Sequence, residues 1–517
     1  MPRVRTVALA ATVAGILLAV LAVWAAGPWQ DGYRVGEHHG SKRSGGAQAG
    51  AQGASGAAGG GTGERRITPP VLAPVDENPA GRLPTDQGVK AVLEPLLADK
   101  TLGGPGKTAV SVVDVATGRT LYAVDADRGA VPASTTKVAT GVAALAALKA
   151  DQRFTTRVLA GAAPGTIVLV GGGDPTLTAL DGSQYAGQYA PARLDALAAA
   201  TAKALRAAGI TQVQLAYDTS LYSGPANHPI SPNDNIAPVV ALMADEGRVD
   251  GKKVEGPSAR VADPAAKAAE QFAQLVARQG IAVNGKPAAG SAAAGTAGTS
   301  VDPAPAAQAG TAPAPGTELA AVHSPPVPEV VEQMMMASDN DIAEALLRHI
   351  AVAKGKPASF AGGSEAVKEV LAGLGVNLGA MHLEDGSGLN RANKLPPAVL
   401  TGLITLAASP AHPELRTAVT GMPIAGFTGT LKDRFGRADV ADATGIVRAK
   451  TGSLTGVSTL AGVVRDADGR LLAFAFLADQ VPGGADLARP ALDKMAAALG
   501  DCGCGTPAAS APAAAAG

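Results

Sequence analysis

Ser134 and Lys137, in the run Ser134-Thr-Thr-Lys137, form the one S-x-x-K in the chain. On a helix, positions i and i+3 share a face, so the hydroxyl and the amine can meet. A neutral lysine there can take the serine proton and make the hydroxyl a nucleophile. Residues 136–149 are apolar enough for a buried helix, and its N-terminus lends partial positive charge to a developing oxyanion. Taken alone, the pattern is more often a serine N-cap beside a solvated lysine.

Two further tripeptides change its weight. Ser338-Asp339-Asn340 follows a helical stretch ending in Met334-Met335-Met336, and Lys450-Thr451-Gly452, followed by Ser453, falls on a predicted edge strand. Other apparent motifs fail. The run 103–108 has Thr101 where a phosphate loop needs its leading glycine, and it leads into a strand. There is no His-Glu-x-x-His and no Gly-x-Ser-x-Gly, and the seven histidines are scattered. No metal or cofactor is implied.

The ordered triplet of Ser134-x-x-Lys137, Ser338-x-Asn340 and Lys450-Thr-Gly452 resembles that of penicillin-binding proteins and class A β-lactamases. Gly171-Gly-Gly-Asp174-Pro-Thr-Leu177, Asp218-Thr-Ser-Leu-Tyr222, Asp385-Gly-Ser-Gly-Leu-Asn-Arg391 and Gly429-Thr-Leu431 narrow the likeness to the low-molecular-mass class C penicillin-binding proteins. These are the serine D-alanyl-D-alanine carboxypeptidase/endopeptidases, and the resemblance spans roughly residues 85–505. Asn390 stands where the family usually has Ser, and Ile230 follows His228-Pro229 where an aromatic is common. None of Glu365, Glu369, Glu384 and Glu414 lies in the Glu-x-x-Leu-Asn element that helps class A β-lactamases deacylate, so fast β-lactam hydrolysis is not expected.

The resemblance implies that Ser134 attacks, Lys137 is the base and Ser338 passes a proton to the leaving amine. Asn340 would hold the substrate amide, and Lys450 and Thr451, with Gly452, the substrate's C-terminal carboxylate. The backbone N–H groups of Ser134 and Ser453 would form the oxyanion hole. Arg391 either contacts a charged group of the stem peptide or makes a structural ion pair. Peptidoglycan stem peptides are the implied substrate and β-lactams the inhibitors. An esterase, D-aminopeptidase or β-lactamase on the same fold stays open, as does a catalytically weak cell-wall-binding protein.

The elements that must position these residues read as an α/β chain. The expected core is a transpeptidase-like domain, an antiparallel sheet flanked by helices, with inserted β-rich accessory domains. Strands are predicted over 108–115, 120–124, 446–451, 454–464 and 471–478, and helices over 89–97, 327–353 and 486–499. The catalytic parts fall at 83–154 and 322–500, around an insertion at 155–321 with one clear helix, 265–278, and a disordered Pro/Ala/Gly loop at 288–315. That insertion is expected to govern which substrate arrives, not how the bond breaks. The Met run reads as core filler, and residues 171–177 and Asp218 as structural.

Arg3 and Arg5 precede an uncharged run over 7–26, the order of a signal peptide or signal anchor within residues 1–30. Residues 31–82 form a Gly/Ala/Pro-rich linker, and 501–517 a tail. With 43 Lys plus Arg against 44 Asp plus Glu, the chain lacks the basic footprint of a nucleic-acid binder. Cys502 and Cys504, the only cysteines, are too few for a zinc ribbon or disulfide framework and predict a local disulfide of little stabilising value.

Overall fold

Two runs in the catalytic parts are apolar on both faces. In β1 (Thr108–Asp114) and β11 (Leu471–Ala478) every residue is buried, the mark of strands with both faces covered. They pair antiparallel at the middle of a five-stranded sheet, ordered β2 (Thr120–Val124), β1, β11, β10 (Val457–Arg465), β9 (Val447–Leu454). The half-exposed β2 and β9 are its edges. The computed structural model describes residues 82–180, 190–230, 233–251, 253–291 and 313–504. The leader, most of the linker, most of the 288–315 loop and the tail beyond 504 lie outside these. Among the described residues no helix is long and apolar enough to cross a membrane.

Helix α1 (Asp86–Leu97) turns Val89, Leu93 and Leu97 inward at a spacing of four and packs with the C-terminal helix α9 (Ala485–Gly500). Helix α2 (Thr136–Ala147) is buried almost all round, between α5 (Val327–Ala337), α6 (Asn340–Ala353), α7 (Phe360–Gly373) and α8 (Pro397–Ala408). The predicted helix over 327–353 is therefore two helices. Ser338 adopts φ 59°, ψ 37°, ending α5, and the Asp339 carboxylate caps α6 at Ile342 N. The break puts Ser338-Asp339-Asn340 on a turn beside α2.

The insertion builds a second sheet ordered β6 (Ala282–Val283), β5 (Gln212–Asp218), β4 (Thr166–Val170), β3 (Thr155–Ala160), β8 (Glu318–His323), with β7 (Ala288–Ala289) also on β5. β4, β5 and β6 run parallel, while β3 is antiparallel to β4 and β8. Two helices pack here, α3 (Leu194–Ala207) and α4 (Pro264–Arg278), around Val158, Leu169, Leu197 and Phe272. The sequence reading found only α4, whose start is marked by the Asp263 cap and Pro264; Arg193 before α3 offers no side-chain cap.

The insertion is tied firmly to α6. Arg348, 1% exposed, donates to the carbonyls of Ser223, Pro225 and Ala358 at 2.7–2.9 Å. His349 stacks on Phe154 at 3.7 Å between ring centres, and burial pushes its pKa down to about 4, so it is neutral. Cys502 and Cys504 are bonded, as expected, yet buried against the core, and Cys504 O accepts from Thr85 N and Oγ1 at 3.1 Å. The pair thus helps fix the start of α1.

Candidate active site

Ser134 sits in a 3-10 turn, Ala133–Thr135, that runs into α2. Ala133 before it has φ 48°, a conformation rare for a residue with a Cβ, so the serine is presented on a strained bend. Two glycines make that bend possible. A Cβ on Gly388 would lie 1.9 Å from Ala133 O, and one on Gly452 would lie 2.2 Å from Thr459 Oγ1 and 3.0 Å from Ser134 N. The glycine of Lys450-Thr-Gly is thus what lets the edge strand β9 close on the serine turn.

Lys137 is fully buried. Its Nζ lies 3.2 Å from Ser134 Oγ, 2.6 Å from Asn340 Oδ1 and 2.8 Å from Ser387 O. The Asn340 amide is oriented by its other end, since Nδ2 donates to Asn235 O at 2.9 Å. Asn340 Oδ1 and Ser387 O can only accept. A neutral amine therefore gives them its two hydrogens and turns its lone pair to the Ser134 hydroxyl. Burial, opposed by Asp339, Glu344, Asp385 and Asp341, holds the Lys137 pKa down at about 8.

Lys450, also fully buried, donates to Ser338 Oγ at 2.7 Å and Thr451 O at 2.8 Å. Burial and the Lys137 charge push its pKa well below the usual lysine range. Thr451 Oγ1 meets Thr430 Oγ1 at 2.9 Å, and Ser453 is exposed at the mouth, with Arg489 Nη2 3.4 Å from its Oγ. Arg391 is exposed at the same rim and donates to Thr455 O at 2.8 Å, holding the β9–β10 turn by a carbonyl contact. Ser134, Lys137, Ser338, Asn340, Lys450, Thr451 and Gly452 are thus gathered around one bend.

Behind them lies a layer that motif reading missed. Glu344, one helical turn after Asn340, accepts from Ser387 N at 2.8 Å and Gly386 N at 3.1 Å. Asp385 accepts from Gly388 N, Asn390 N, Asn393 Nδ2 and, at 2.8 Å, His228 Nε2. Ile230 N donates to His228 Nδ1, so that nitrogen is bare and the ring donates through Nε2. Burial, then the Asp385 charge, lifts the Glu344 pKa to about 7. His228, Glu344 and Asp385 lie within ligand distance of one another, but their polar atoms are already committed to these hydrogen bonds. The i,i+4 spacing that puts Glu344 on the same helix face as Asn340 is the signal that could have found this layer.

A strained serine bend at the head of a buried helix, a lysine three residues on, and an edge strand closing over both define the serine penicillin-recognising class. The chain belongs to the D-Ala-D-Ala carboxypeptidase 3 (S13) family, whose profile matches residues 89–255 and 251–499. It is 37% identical over 432 residues to a Mycobacterium tuberculosis carboxypeptidase, covering 82% of this chain and 86% of that one. It is 32% identical over 464 residues to an Actinomadura D-alanyl-D-alanine carboxypeptidase, covering 77% and 82%. In fold it is similar to Haemophilus influenzae penicillin binding protein 4, with TM-score 0.60 and 23% identity over 80% of this chain and 98% of that one.

Proposed function

We propose that the chain is a serine D-Ala-D-Ala carboxypeptidase/endopeptidase that trims peptidoglycan stem peptides through an acyl-enzyme on Ser134. The observation that carries this reading is the Lys137 Nζ, held by two pure acceptors 3.2 Å from Ser134 Oγ, so that the neutral amine faces the hydroxyl with its lone pair. Ser134 Oγ attacks the carbonyl of the penultimate D-alanine while Lys137 takes its proton. The resulting oxyanion is met by the N–H groups of Ser134 and Ser453. The C–N bond then breaks, Ser338 relays a proton to the leaving amine, and D-alanine departs. Water hydrolyses the ester and restores the serine.

Lys450 and Thr451, with Gly452, receive the substrate's C-terminal carboxylate, and Asn340 the peptide amide. A carboxylate beside Lys450 supplies the counter-charge its buried amine lacks, so substrate binding raises its pKa and fixes its proton. Arg391 meets a charged group of the stem peptide at the rim. β-Lactams react at the same serine and deacylate slowly. The uncharged run 7–26 behind Arg3 and Arg5 supports export, with action on the outer face of the membrane or in the wall.

Labelling with a fluorescent penicillin, followed by mapping of the acylated peptide, tests this reading. One label per chain on Ser134, lost in a folded Ser134→Ala variant, is the expected result. Label retained by that variant refutes the nucleophile.

A further inference from the structure

The turn that carries Asn340 is gripped from the insertion side by a cluster of charges. Arg260 Nη2 lies 3.1 Å from Asp341 Oδ2, and its Nη1 donates to Glu246 Oε2 at 3.1 Å and to Glu246 O at 2.7 Å. Arg248 Nη2 donates to the same Glu246 oxygen at 2.6 Å. The carboxylates of Glu246, Asp339 and Asp341 all lie within 4.8 Å of one another. Ala237 N, also from the insertion, donates to the other Asp341 oxygen at 2.9 Å. These side chains are almost out of water, with Arg260 6%, Asp341 1% and Glu246 13% exposed.

The backbone that presents Glu246 is unusual as well. Asp245, Glu246 and Gly247 have φ 51°, 51° and 60°, three left-handed residues in a row, two of them carrying a Cβ. Such conformations cost about 1–3 kcal/mol each and persist only where their surroundings hold them. Across from them Ser338, at φ 59°, is left-handed too. Two strained turns are thus buttoned together by the Arg260–Asp341 ion pair on one side of Asn340 and by the Glu246 carboxyl beside Asp339 on the other.

We propose that Glu246 and Arg260 of the insertion are positioning residues of the acylation reaction: they clamp the 338–341 turn and so fix Asn340, and through it the Lys137 amine. This rests on the reading of Ser134 as nucleophile and Lys137 as base. Asn340 Oδ1 is one of the two acceptors that turn the Lys137 lone pair toward Ser134, so a shift of the turn misaims the base. The charge balance needs a proton. Three carboxylates face two guanidiniums, and burial with the Asp339 and Asp341 charges pushes the Glu246 pKa well up. A protonated Glu246 donates to Asp339; once ionised it repels Asp339 and Asp341, with Arg248 and Arg260 opposing that repulsion. Acylation gains from Lys137 deprotonation as pH rises through about 8, and ionisation of Glu246 works against that gain by loosening the turn.

The test uses the full chain and measures the acylation rate by fluorescent penicillin as a function of pH, with melting temperature and the KM-against-kcat split on a D-Ala-D-Ala peptide. Glu246→Ala is expected to slow acylation and kcat by roughly ten- to a hundredfold with KM little changed, as a misaimed reacting group does, and to lower the melting temperature, because it strands two buried guanidiniums. Glu246→Gln, which keeps a donor to Asp339 and cannot ionise, is expected to recover most of the rate. A folded Glu246→Ala variant that acylates like the parent overturns the proposal. So does a Gln variant that slows only in step with its melting temperature. If the Ala variant does not fold, Arg260→Lys takes its place, since it keeps the charge and loses the fork that reaches Glu246 and Asp341 together, and a parent-like acylation rate in it overturns the proposal. A parent unlabelled at Ser134 sinks the functional reading instead, and the two failures are told apart in one gel.

Discussion

The two buried lysines of the site sit on opposite sides of Ser134 and live in different surroundings. On the sheet side, Lys450 is bordered by backbone, hydroxyls and a glycine, and the charge nearest in effect is another cation, Lys137. On the helix side, Lys137 is surrounded by Asp339, Asp341, Glu344 and Asp385, each pulling its pKa back up against burial. The first environment waits for an anion from outside. The second supplies its own and leaves the amine near neutrality, where a base has most effect. The difference teaches that the same residue type, equally buried, becomes an anion receptor or a proton acceptor according to the acids behind it.

The sharpest way to break this comparison is to remove each amine in turn. Lys137→Ala should slow penicillin acylation by several orders of magnitude on every substrate, since it deletes the base. Lys450→Ala should cost carboxylate-bearing peptides on the order of tenfold to a hundredfold more than neutral esters, because only the former need its charge. Rates are compared on a D-Ala-D-Ala peptide and an ester analogue. Equal losses on the two from Lys450→Ala would erase the distinction between the sides.

A smaller effect should come from the acids. Glu344→Gln removes one of the charges that raise the Lys137 pKa, so the rise of acylation with pH should move toward acid from about 8. Its stability signature has the opposite sense. The Glu344 pKa is raised to about 7, so the protonated side chain favours the fold at low pH and that contribution is lost as pH rises through about 7. The variant's melting temperature should therefore fall less than the parent's between pH 5 and pH 8, read by thermal unfolding at each pH. A profile that stays in place would mean that Glu344 holds the Ser387 loop without tuning the amine.

These two sides also differ in how far they could be read from sequence. The sheet side was legible almost whole, because Lys450-Thr-Gly452 is contiguous and an edge strand shows its pattern locally. Ser134 and Lys137 were legible because a helix converts spacing into contact. What surrounds Lys137 on the helix side was not. His228, Asn235, Glu246 and Arg260 reach the site from the insertion, and no spacing rule links them to Asn340 or Asp385. The break at Ser338 was also missed, although Asp339 is a capping residue type, because a helical pattern lies directly on either side of Ser338-Asp-Asn-Asp341. The insertion was therefore expected to stand apart from the chemistry, whereas it supplies the carbonyl that orients Asn340.

The smallest expected effect lies far from both lysines. Cys502 and Cys504 close a loop too short to restrict the unfolded chain much, which predicts a silent pair. Yet both side chains are buried against the core, and Cys504 O caps Thr85 where α1 begins. Replacing both by Ser puts two hydroxyls where sulfur was packed, at about 1–3 kcal/mol for each one left without a partner. The melting temperature should drop by a few degrees while the rate of penicillin acylation stays as in the parent, because the pair lies beyond the C-terminal end of α9, whereas α9 meets the site through Arg489 near its N-terminus. Thermal unfolding beside penicillin labelling measures both. A loss of acylation without a loss of stability would mean that the α1–α9 face is coupled to β9, and the contrast between the two lysines would then extend through the sheet itself.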